Sequence, residues 1–415
     1  MATSDDARAR DGITNRGKGP ECASFLYAKN KEFASLRGCG GLPDQYETEE
    51  EIKRYLSYEG TKSYIDDEGG TLLHLIGEFT PLYIIKLLVE GGVPADTPNN
   101  IGCTPLVVAV GSKNTAAAEY LISLKANVNV KSGTSSAITL AQIACFNGSP
   151  EILKFLVGAG AELFTTNNKF RGILLHTALS ERSFSSQSVE LIRYLVDDLG
   201  SDVNAISSYG IFPVLKAASL QLSKGSPESK ILGFLISRKA DLNTSDAEGR
   251  RAVHIASIGK KSHGLEMLVE AGADINVEDN YGRRPIHFAA GCSQECLEYI
   301  LDRRVDINVP DHDGWTPLMW AVRSGEEGSI RKLMRMGADI WCRGRGYETE
   351  WSALKLARFW DLWEDPDILK LLMPQRSARK TANGRVEEWE KEFHRTHPAH
   401  HKMTLCTSCT MVRIK

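Results

Sequence analysis

The residues best suited to metal chemistry lie near the end of the chain. Cys406 and Cys409 form a Cys-x-x-Cys pair, and His397 and His401 precede them by a few positions. Thiolates at this spacing can hold one zinc ion from a tight turn, and imidazoles can complete a tetrahedral ligand set. We therefore consider Cys406, Cys409, His397 and His401 as candidate zinc ligands, and no other cofactor is predicted.

A second set of histidines recurs at one position of a repeated unit. These are His74, His176, His254 and His287. Helices of successive units pack about 10 Å apart, whereas the ligands of one zinc ion lie about 2 Å from it. The four imidazoles therefore cannot share a metal, and a structural role is predicted for each.

The element that positions these histidines is a unit of about 33 residues, written almost twice between positions 279 and 325. Each copy opens with a turn, Asp279-Asn-Tyr-Gly or Asp311-His-Asp-Gly. It then enters a helix through Arg284-Pro-Ile-His or Thr316-Pro-Leu-Met. Proline suits the first helical position, where its missing N–H does no harm.

A small or compact residue one turn into each first helix marks the register of the repeats. Neighbouring markers are separated by 32 to 39 residues, and the two steps of 39 indicate insertions near 182–188 and 222–229. A small side chain is expected where helices pack closely. The markers are Ile76, Ala109, Ala144, Ala178, Ala217, Ala256, Ala289, Ala321 and Ala357.

Residues at both ends of the helices fit the same plan. Thr104 and Thr316 precede prolines and are predicted to cap free amides with their side-chain oxygens. Gly160, Gly272 and Gly337 follow the second helices, where a left-handed residue can end a helix. Local sequence thus specifies where the helices start and stop.

This pattern resembles the ankyrin repeat. The resemblance implies an all-α solenoid of about nine helix-turn-helix repeats joined by hairpin loops. It also implies that the recurring histidine bonds to neighbouring backbone, and that partner proteins bind a concave surface of hairpin tips and inner helices. We therefore predict a non-catalytic protein-interaction scaffold or adaptor.

The chain divides into three parts on this interpretation. A flexible N-terminal segment covers 1–45, the ankyrin repeat domain covers 46–374, and a basic tail containing histidine and cysteine covers 375–415. The repeats are placed near 66–100, 101–132, 133–168, 169–208, 209–247, 248–280, 281–312, 313–345 and 346–374.

Aromatic and arginine side chains are concentrated in repeats six to eight and are predicted to be exposed there. Such residues dominate protein interfaces because they bury large areas and form planar hydrogen bonds. In the alternative interpretation, Trp315 shields its own hairpin and the arginines pair with Asp311, Asp313 and Glu278. The candidate partner-binding residues are Arg250, Arg251, Tyr281, Arg283, Arg284, Phe288, His312, Trp315, Trp320, Arg323 and Tyr347.

The tail allows three interpretations. The Cys-x-x-Cys pair and the residues after it resemble the opening of a ZZ-type zinc finger, which some fungal ankyrin proteins carry after the array; here that finger would be truncated at Lys415. The other two are a complete local His/Cys site and a tail that binds no metal. The zinc interpretations give the alternative function, a zinc-binding adaptor that delivers a partner to the ubiquitin or a signalling machinery.

Composition limits the remaining classes of function. The net charge of −3 gives no global reason to expect a nucleic acid or an acidic membrane as partner. The sequence shows neither an apolar run of about 18 residues nor a secretory signal. Nine scattered cysteines favour reduced thiols. We expect an intracellular monomer, cytoplasmic or nuclear, with protein partners and no catalytic residues.

Overall fold

The computed structural model describes 19–35, 45–57, 61–132, 138–163, 173–180, 184–207, 209–220, 222–345, 350–359 and 372. These residues are mostly helical. They belong to two compact units, Met1–Val305 and Asp306–Lys415. Within the described parts of the chain, none of the helices combines the length and the apolar character that crossing a bilayer requires.

The first unit is built from pairs of short antiparallel helices. Among the described residues, two flanking helices are followed by a 3₁₀-helix that contacts one α-helix, and then by six helix pairs. Their bounds are α1 (Gly19–Ser35), α2 (Gln45–Leu56), a 3₁₀-helix (Leu72–Leu75), α3 (Leu82–Glu90), α4 (Pro105–Gly111), α5 (Thr115–Ser123), α6 (Leu140–Phe146), α7 (Pro150–Gly158), α8 (Ile173–Ala178), α9 (Ser186–Arg193), α10 (Pro213–Ala218), α11 (Pro227–Ser237), α12 (Ala252–Ala256), α13 (His263–Glu270), α14 (Pro285–Cys292) and α15 (Gln294–Leu301).

The second unit continues the same pattern. It contains α16 (Pro317–Ser324), α17 (Glu327–Arg335) and α18 (Ala353–Phe359), and α16 packs on both other helices. Strands are short in both units: β1 (Lys131–Ser132) pairs with β2 (Ile138–Thr139), and β3 (Gly344–Arg345) pairs with β4 (Glu350–Trp351). The predicted helical-repeat fold class is confirmed.

The marker residues lie in the core of each unit. All nine are buried, as predicted. In the first unit the first helix of each pair contacts the first helix of the next, in the order α4, α6, α8, α10, α12 and α14. A larger side chain at a marker position would separate these helices.

Helix caps follow the prediction only in part. Thr104 begins α4, and its side chain accepts a hydrogen bond from the amide of Val107 at 3.5 Å. Thr316 begins α16 without any such bond, and its buried hydroxyl has no partner among the described residues. The predicted cap at Thr316 is therefore wrong, and Pro317 and the surrounding packing define this helix start.

An N-terminal helix covers the first repeat. Helix α1 contacts the 3₁₀-helix and buries Cys22 and Leu26. The sequence interpretation places these positions in the flexible segment 1–45, and the structure describes a helix, Gly19–Ser35, within that segment. Cys22 and Leu26 cover apolar side chains that would otherwise face solvent at the open end of the stack.

The two longer repeats contain their insertions between paired helices. Residues 179–185 separate α8 from α9, and residues 219–226 separate α10 from α11. One further residue is absorbed inside the second helix of the earlier repeat, which ends in a π-helical turn, Tyr194–Asp198. Gly200 follows Leu195 by five positions, whereas Gly160 follows Leu156 by four. The extra residue widens the helix locally and leaves the stacking positions in register.

The ends of the second helices share one backbone conformation. Gly160, Gly272 and Gly337 have φ of +82°, +97° and +86°, which confirms the predicted left-handed ends. At the equivalent place other repeats carry Lys125, Lys239 and Arg304, also at positive φ. A residue with a Cβ atom is destabilised by about 1–2 kcal/mol in this left-handed backbone conformation.

This observation predicts a stabilising substitution. Lys239→Gly is expected to raise the free energy of unfolding by about 0.5–1 kcal/mol. Relief of left-handed strain is partly offset by the greater entropy of glycine in the unfolded chain. Urea unfolding followed by circular dichroism measures the change. Lys230→Gly, at an exposed position of α11, is the matched control and should destabilise by up to about 1 kcal/mol; a loss of stability in Lys239→Gly would contradict the prediction.

Candidate binding surface

In the first unit, the candidate residues of the seventh repeat are positioned by a hydrogen-bonded turn. The Oδ1 atom of Asp279 accepts the amides of Tyr281 and Arg283, both at 2.9 Å. The amide of Gly282 donates to the Asp279 carbonyl at 3.0 Å, and Gly282 has φ +72°. One carboxylate therefore fixes the whole turn and places the Tyr281 side chain at its tip.

Arg283 lies inside this turn and not on its surface. Its Nε donates to Asp279 Oδ2 at 2.7 Å, and its guanidinium lies 4.7 Å from the Tyr281 ring centroid and 5.0 Å from that of Phe288. Phe288 is only 1% exposed. The predicted exposure of Arg283 and Phe288 is therefore wrong, because the ion pair and the two aromatic rings enclose the arginine.

Tyr281 remains accessible. Its side chain is 43% exposed, while Arg283 stacks on one face of the ring. The ring is therefore held in place before any partner arrives, so that binding would cost little side-chain entropy.

The other arginines of this unit use local partners to different degrees. Arg250 pairs with Asp246 at 2.8 Å and with Glu248, and Arg284 donates to Glu278 at 2.8 Å. The predicted alternative, in which arginines pair locally, thus holds for Arg284 and Glu278. Arg251 differs: its guanidinium donates to the neutral Asn243 amide oxygen at 3.1 Å.

In the second unit a tryptophan donates to the turn aspartate, whereas in the sixth and seventh repeats an arginine donates to it. Trp320 Nε1 donates to Asp311 Oδ2 at 3.0 Å, while Asp311 Oδ1 accepts the amides of Asp313 and Trp315. Burial raises the pKa of Asp311 above its usual range, against the opposing effect of these hydrogen bonds. Trp320 is 8% exposed, so its predicted exposure is wrong.

Two further candidates of the second unit, Trp315 and Arg323, lie beside Trp320. Trp315 is half-buried and donates from Nε1 to the Arg345 carbonyl at 2.8 Å. Arg323 lies 5.6 Å from the Trp315 ring and 5.4 Å from the Trp320 ring, while His312 is exposed at the turn. The alternative in which Trp315 covers its own hairpin therefore has support from packing. Tyr347, His397, His401, Cys406 and Cys409 lie outside the described residues.

The recurring histidines bond to backbone, as predicted. Nε2 of His74 lies 2.9 Å from the Cys103 carbonyl, and Nε2 of His176 lies 2.7 Å from the Ala205 carbonyl. Nε2 of His254 lies 3.0 Å from the Val277 carbonyl of its own repeat and 3.1 Å from the Arg283 carbonyl of the next repeat. Burial lowers the pKa of both His176 and His254. His74 and His254 thus connect neighbouring repeats, whereas His176 bonds within its own repeat. No group suited to a metal ion occurs among the described side chains.

Comparison with known families agrees with this geometry. A model described as ankyrin repeats (3 copies) matches residues 45–132, 217–311 and 254–344, just over half of the chain in total. The chain is an ankyrin repeat protein. Ankyrin repeats are protein-interaction modules, so a role in protein–protein interaction follows from the family.

One curated protein adds a distant similarity. The chain is 26% identical over 260 residues to the E3 ubiquitin-protein ligase KEG of Arabidopsis thaliana. The aligned region covers 58% of this chain and 15% of the ligase. The chain therefore spans a small part of that relative.

The ankyrin hairpins also expose apolar residues that sequence reasoning did not select. Ile101 and Tyr209 occupy the same turn position as Tyr281, and Tyr209 is 88% exposed. Ile65 and Ile206 precede the first residue of their turns and are exposed as well. Aligning the turns would have identified Ile101 and Tyr209, because each lies directly before the turn glycine.

Proposed function

We propose that this ankyrin repeat protein is a non-catalytic scaffold or adaptor that binds a partner protein through its hairpin tips and the adjoining helix starts. The single observation that supports the proposal best is Tyr281, an exposed aromatic ring held by a buried, ion-paired arginine. Exposed aromatic residues with fixed geometry bury large areas at little entropic cost. The rigid stack supplies this geometry in advance.

Arg251 suggests what the partner presents beside Tyr281. Within the described residues its guanidinium bonds to an amide oxygen and to no carboxylate. Its positive charge is therefore less neutralised locally than that of Arg250 or Arg284. A partner with an apolar side chain for Tyr281 and a carboxylate for Arg251 fits the sixth and seventh repeats.

The test combines crosslinking with affinity measurement. A photoreactive amino acid at position 281 of the full chain identifies the partner, and titration of that purified partner gives Kd. Tyr281→Ala with Arg251→Ala is expected to weaken binding at least about tenfold, which corresponds to about 1.4 kcal/mol. Tyr209→Ala, at the equivalent turn position of an earlier hairpin, is the control and should bind normally. Unchanged affinity in the folded double variant would show that this surface is not used.

A second candidate function is the zinc-binding adaptor linked to the ubiquitin machinery. The partial similarity to a ubiquitin ligase favours it, together with the spacing of Cys406 and Cys409. His397 and His401 are the proposed remaining ligands, and they would hold the metal in a tetrahedral site.

Metal analysis of the purified full chain tests this candidate. We expect about one zinc per chain, lost in Cys406→Ser and retained in Cys342→Ser, because Cys342 belongs to the repeat region. Zinc that is absent from the wild-type chain, or that survives Cys406→Ser, would remove the zinc-binding adaptor from consideration.

A further inference from the structure

The first two hairpins each expose one isoleucine. Ile65 is 59% exposed and Ile101 is 57% exposed, whereas Ile84 and Ile85 of the adjoining helix are fully buried. Burying an isoleucine side chain is worth about 1.5–3 kcal/mol. The fold leaves both side chains exposed to solvent, so a partner that covered them would gain this free energy of burial.

These two tips form one preformed element. The Asn100 amide donates to the Glu68 carbonyl at 2.9 Å, and Asn100 Nδ2 donates to the Asp67 carbonyl at 3.4 Å. Asp66 fixes the first turn by accepting two amides, at 2.7 and 2.9 Å. Asn99 fixes the second turn in the same way, at 2.9 and 3.2 Å. A partner would therefore meet a surface whose backbone is already ordered.

The turn of the first hairpin carries two exposed carboxylates. Asp67 and Glu68 are exposed, and their carboxylates make no hydrogen bond or ion pair with any residue that the structure describes. The hairpin of the sixth repeat contrasts with this, because Arg250 neutralises both Asp246 and Glu248 there. Two uncompensated negative charges therefore belong to the same pair of hydrogen-bonded hairpins as the two exposed isoleucines.

We infer that residues 65–68 and 100–101, the acidic tip pair, dock a polypeptide segment that combines lysine or arginine with apolar side chains. The apolar residues of the segment would cover Ile65 and Ile101. Its basic residues would meet Asp67 and Glu68 and guide association by long-range attraction. Negative phosphates would be repelled, so nucleic acids and anionic membranes do not fit. The inference does not depend on the surface around Tyr281.

The test uses a phage display library of random twelve-residue peptides, selected against the 415-residue chain. We expect the selected peptides to combine basic and apolar residues. Fluorescence anisotropy of labelled peptides should show that Ile65→Ser with Ile101→Ser weakens binding at least about tenfold. Asp67→Asn with Glu68→Gln should weaken binding about three- to tenfold at low salt and remove most of its salt dependence.

Tyr209→Ser is the matched control, since it removes a more exposed apolar side chain from another tip of the same unit and should leave peptide binding unchanged. Circular dichroism checks that all variants are folded, which is expected for exposed positions. Three results would overturn the inference: selected peptides without basic residues, binding unaffected by the isoleucine variant, or no selected peptides at all. A dimer in analytical ultracentrifugation that the isoleucine variant dissociates would identify a second copy of this chain as the occupant and would overturn it as well. The double variant Tyr281→Ala with Arg251→Ala tests the proposed function alone. If that variant bound its partner normally, the peptide-binding result for residues 65–68 and 100–101 would still stand, so the two proposals are tested separately.

Discussion

Replacing Trp320 with alanine is expected to lower the free energy of unfolding of the second unit by about 3–5 kcal/mol, the range for a large buried aromatic side chain. The indole packs edge-on to Trp315 at 6.1 Å between ring centroids and donates a hydrogen bond to Asp311. Alanine would leave a cavity in α16 and remove one donor from a carboxylate that burial already disfavours in its charged form. Urea unfolding of the full chain, followed by circular dichroism, measures the loss.

Trp320→Phe separates the two contributions. Phenylalanine keeps most of the packing and lacks the N–H, so we expect a loss of about 1–3 kcal/mol from the missing hydrogen bond and the smaller ring. If Trp320→Ala changed the unfolding free energy by less than about 0.5 kcal/mol but weakened partner binding, Trp320 would be a contact residue as the sequence had suggested. Loss of binding that accompanies unfolding would carry no such meaning.

Replacing His254 with alanine is expected to cost about 2–4 kcal/mol of unfolding free energy in the first unit. The Arg251 amide donates to Nδ1 at 2.9 Å, and Nε2 lies 3.0 Å from the Val277 carbonyl and 3.1 Å from the Arg283 carbonyl. Because an amide can only donate and a carbonyl can only accept, the ring is neutral with its proton on Nε2. Alanine would remove the acceptor of the Arg251 amide and the donor to the Val277 carbonyl, and it would create a cavity beside Phe288.

The effect of His254 should also depend on pH. Burial is the main cause that lowers its pKa below the ordinary value of 6.5. The unfolded chain therefore binds more protons than the folded chain as pH falls below 6.5, and the stability that the neutral ring provides is lost in that direction. The stability difference between wild type and His254→Ala should shrink from pH 7.5 to pH 5.5. A difference that grew over this interval would contradict the assigned protonation state.

His312→Ala is the control for the His254 experiment. His312 is exposed at the turn of the second unit, and its replacement should change the unfolding free energy by no more than about 0.5 kcal/mol. A comparable loss in both variants would mean that the buried hydrogen bonds of His254 contribute nothing specific.

Local sequence predicted the repeat plan because its determinants are local. Each determinant depends on a few neighbouring residues and on one fixed repeat length. Examples are the buried marker Ala256, the left-handed helix end at Gly272 and the position of His254. Stacking then reuses the same contacts in successive repeats. The exceptions have local causes as well, since the π-helical turn at Tyr194–Asp198 accommodates one added residue.

The candidate surface was predicted less well, for a physical reason. Arg283, Phe288 and Trp320 have the composition of an interface, but the fold encloses all three. A long polar side chain turns inward when a carboxylate and aromatic rings lie within its reach, and otherwise it stays on the surface. The periodicity of the sequence does not show whether such neighbours are present. Tyr281 stays exposed in the same turn because Arg283 covers only one of its faces.

The sequence by itself determined the ankyrin family, the register of the helices and the structural role of the recurring histidines, since these follow from spacing within one repeat. Only the tertiary structure decided which aromatic and charged side chains are available to a partner. Asp279 is satisfied by Arg283, and Asp311 by Trp320 nine positions away, whereas Asp67 and Glu68 find no counter-charge among the described residues. Such pairings depend on distances through space between side chains, and these are fixed when the repeats fold and stack.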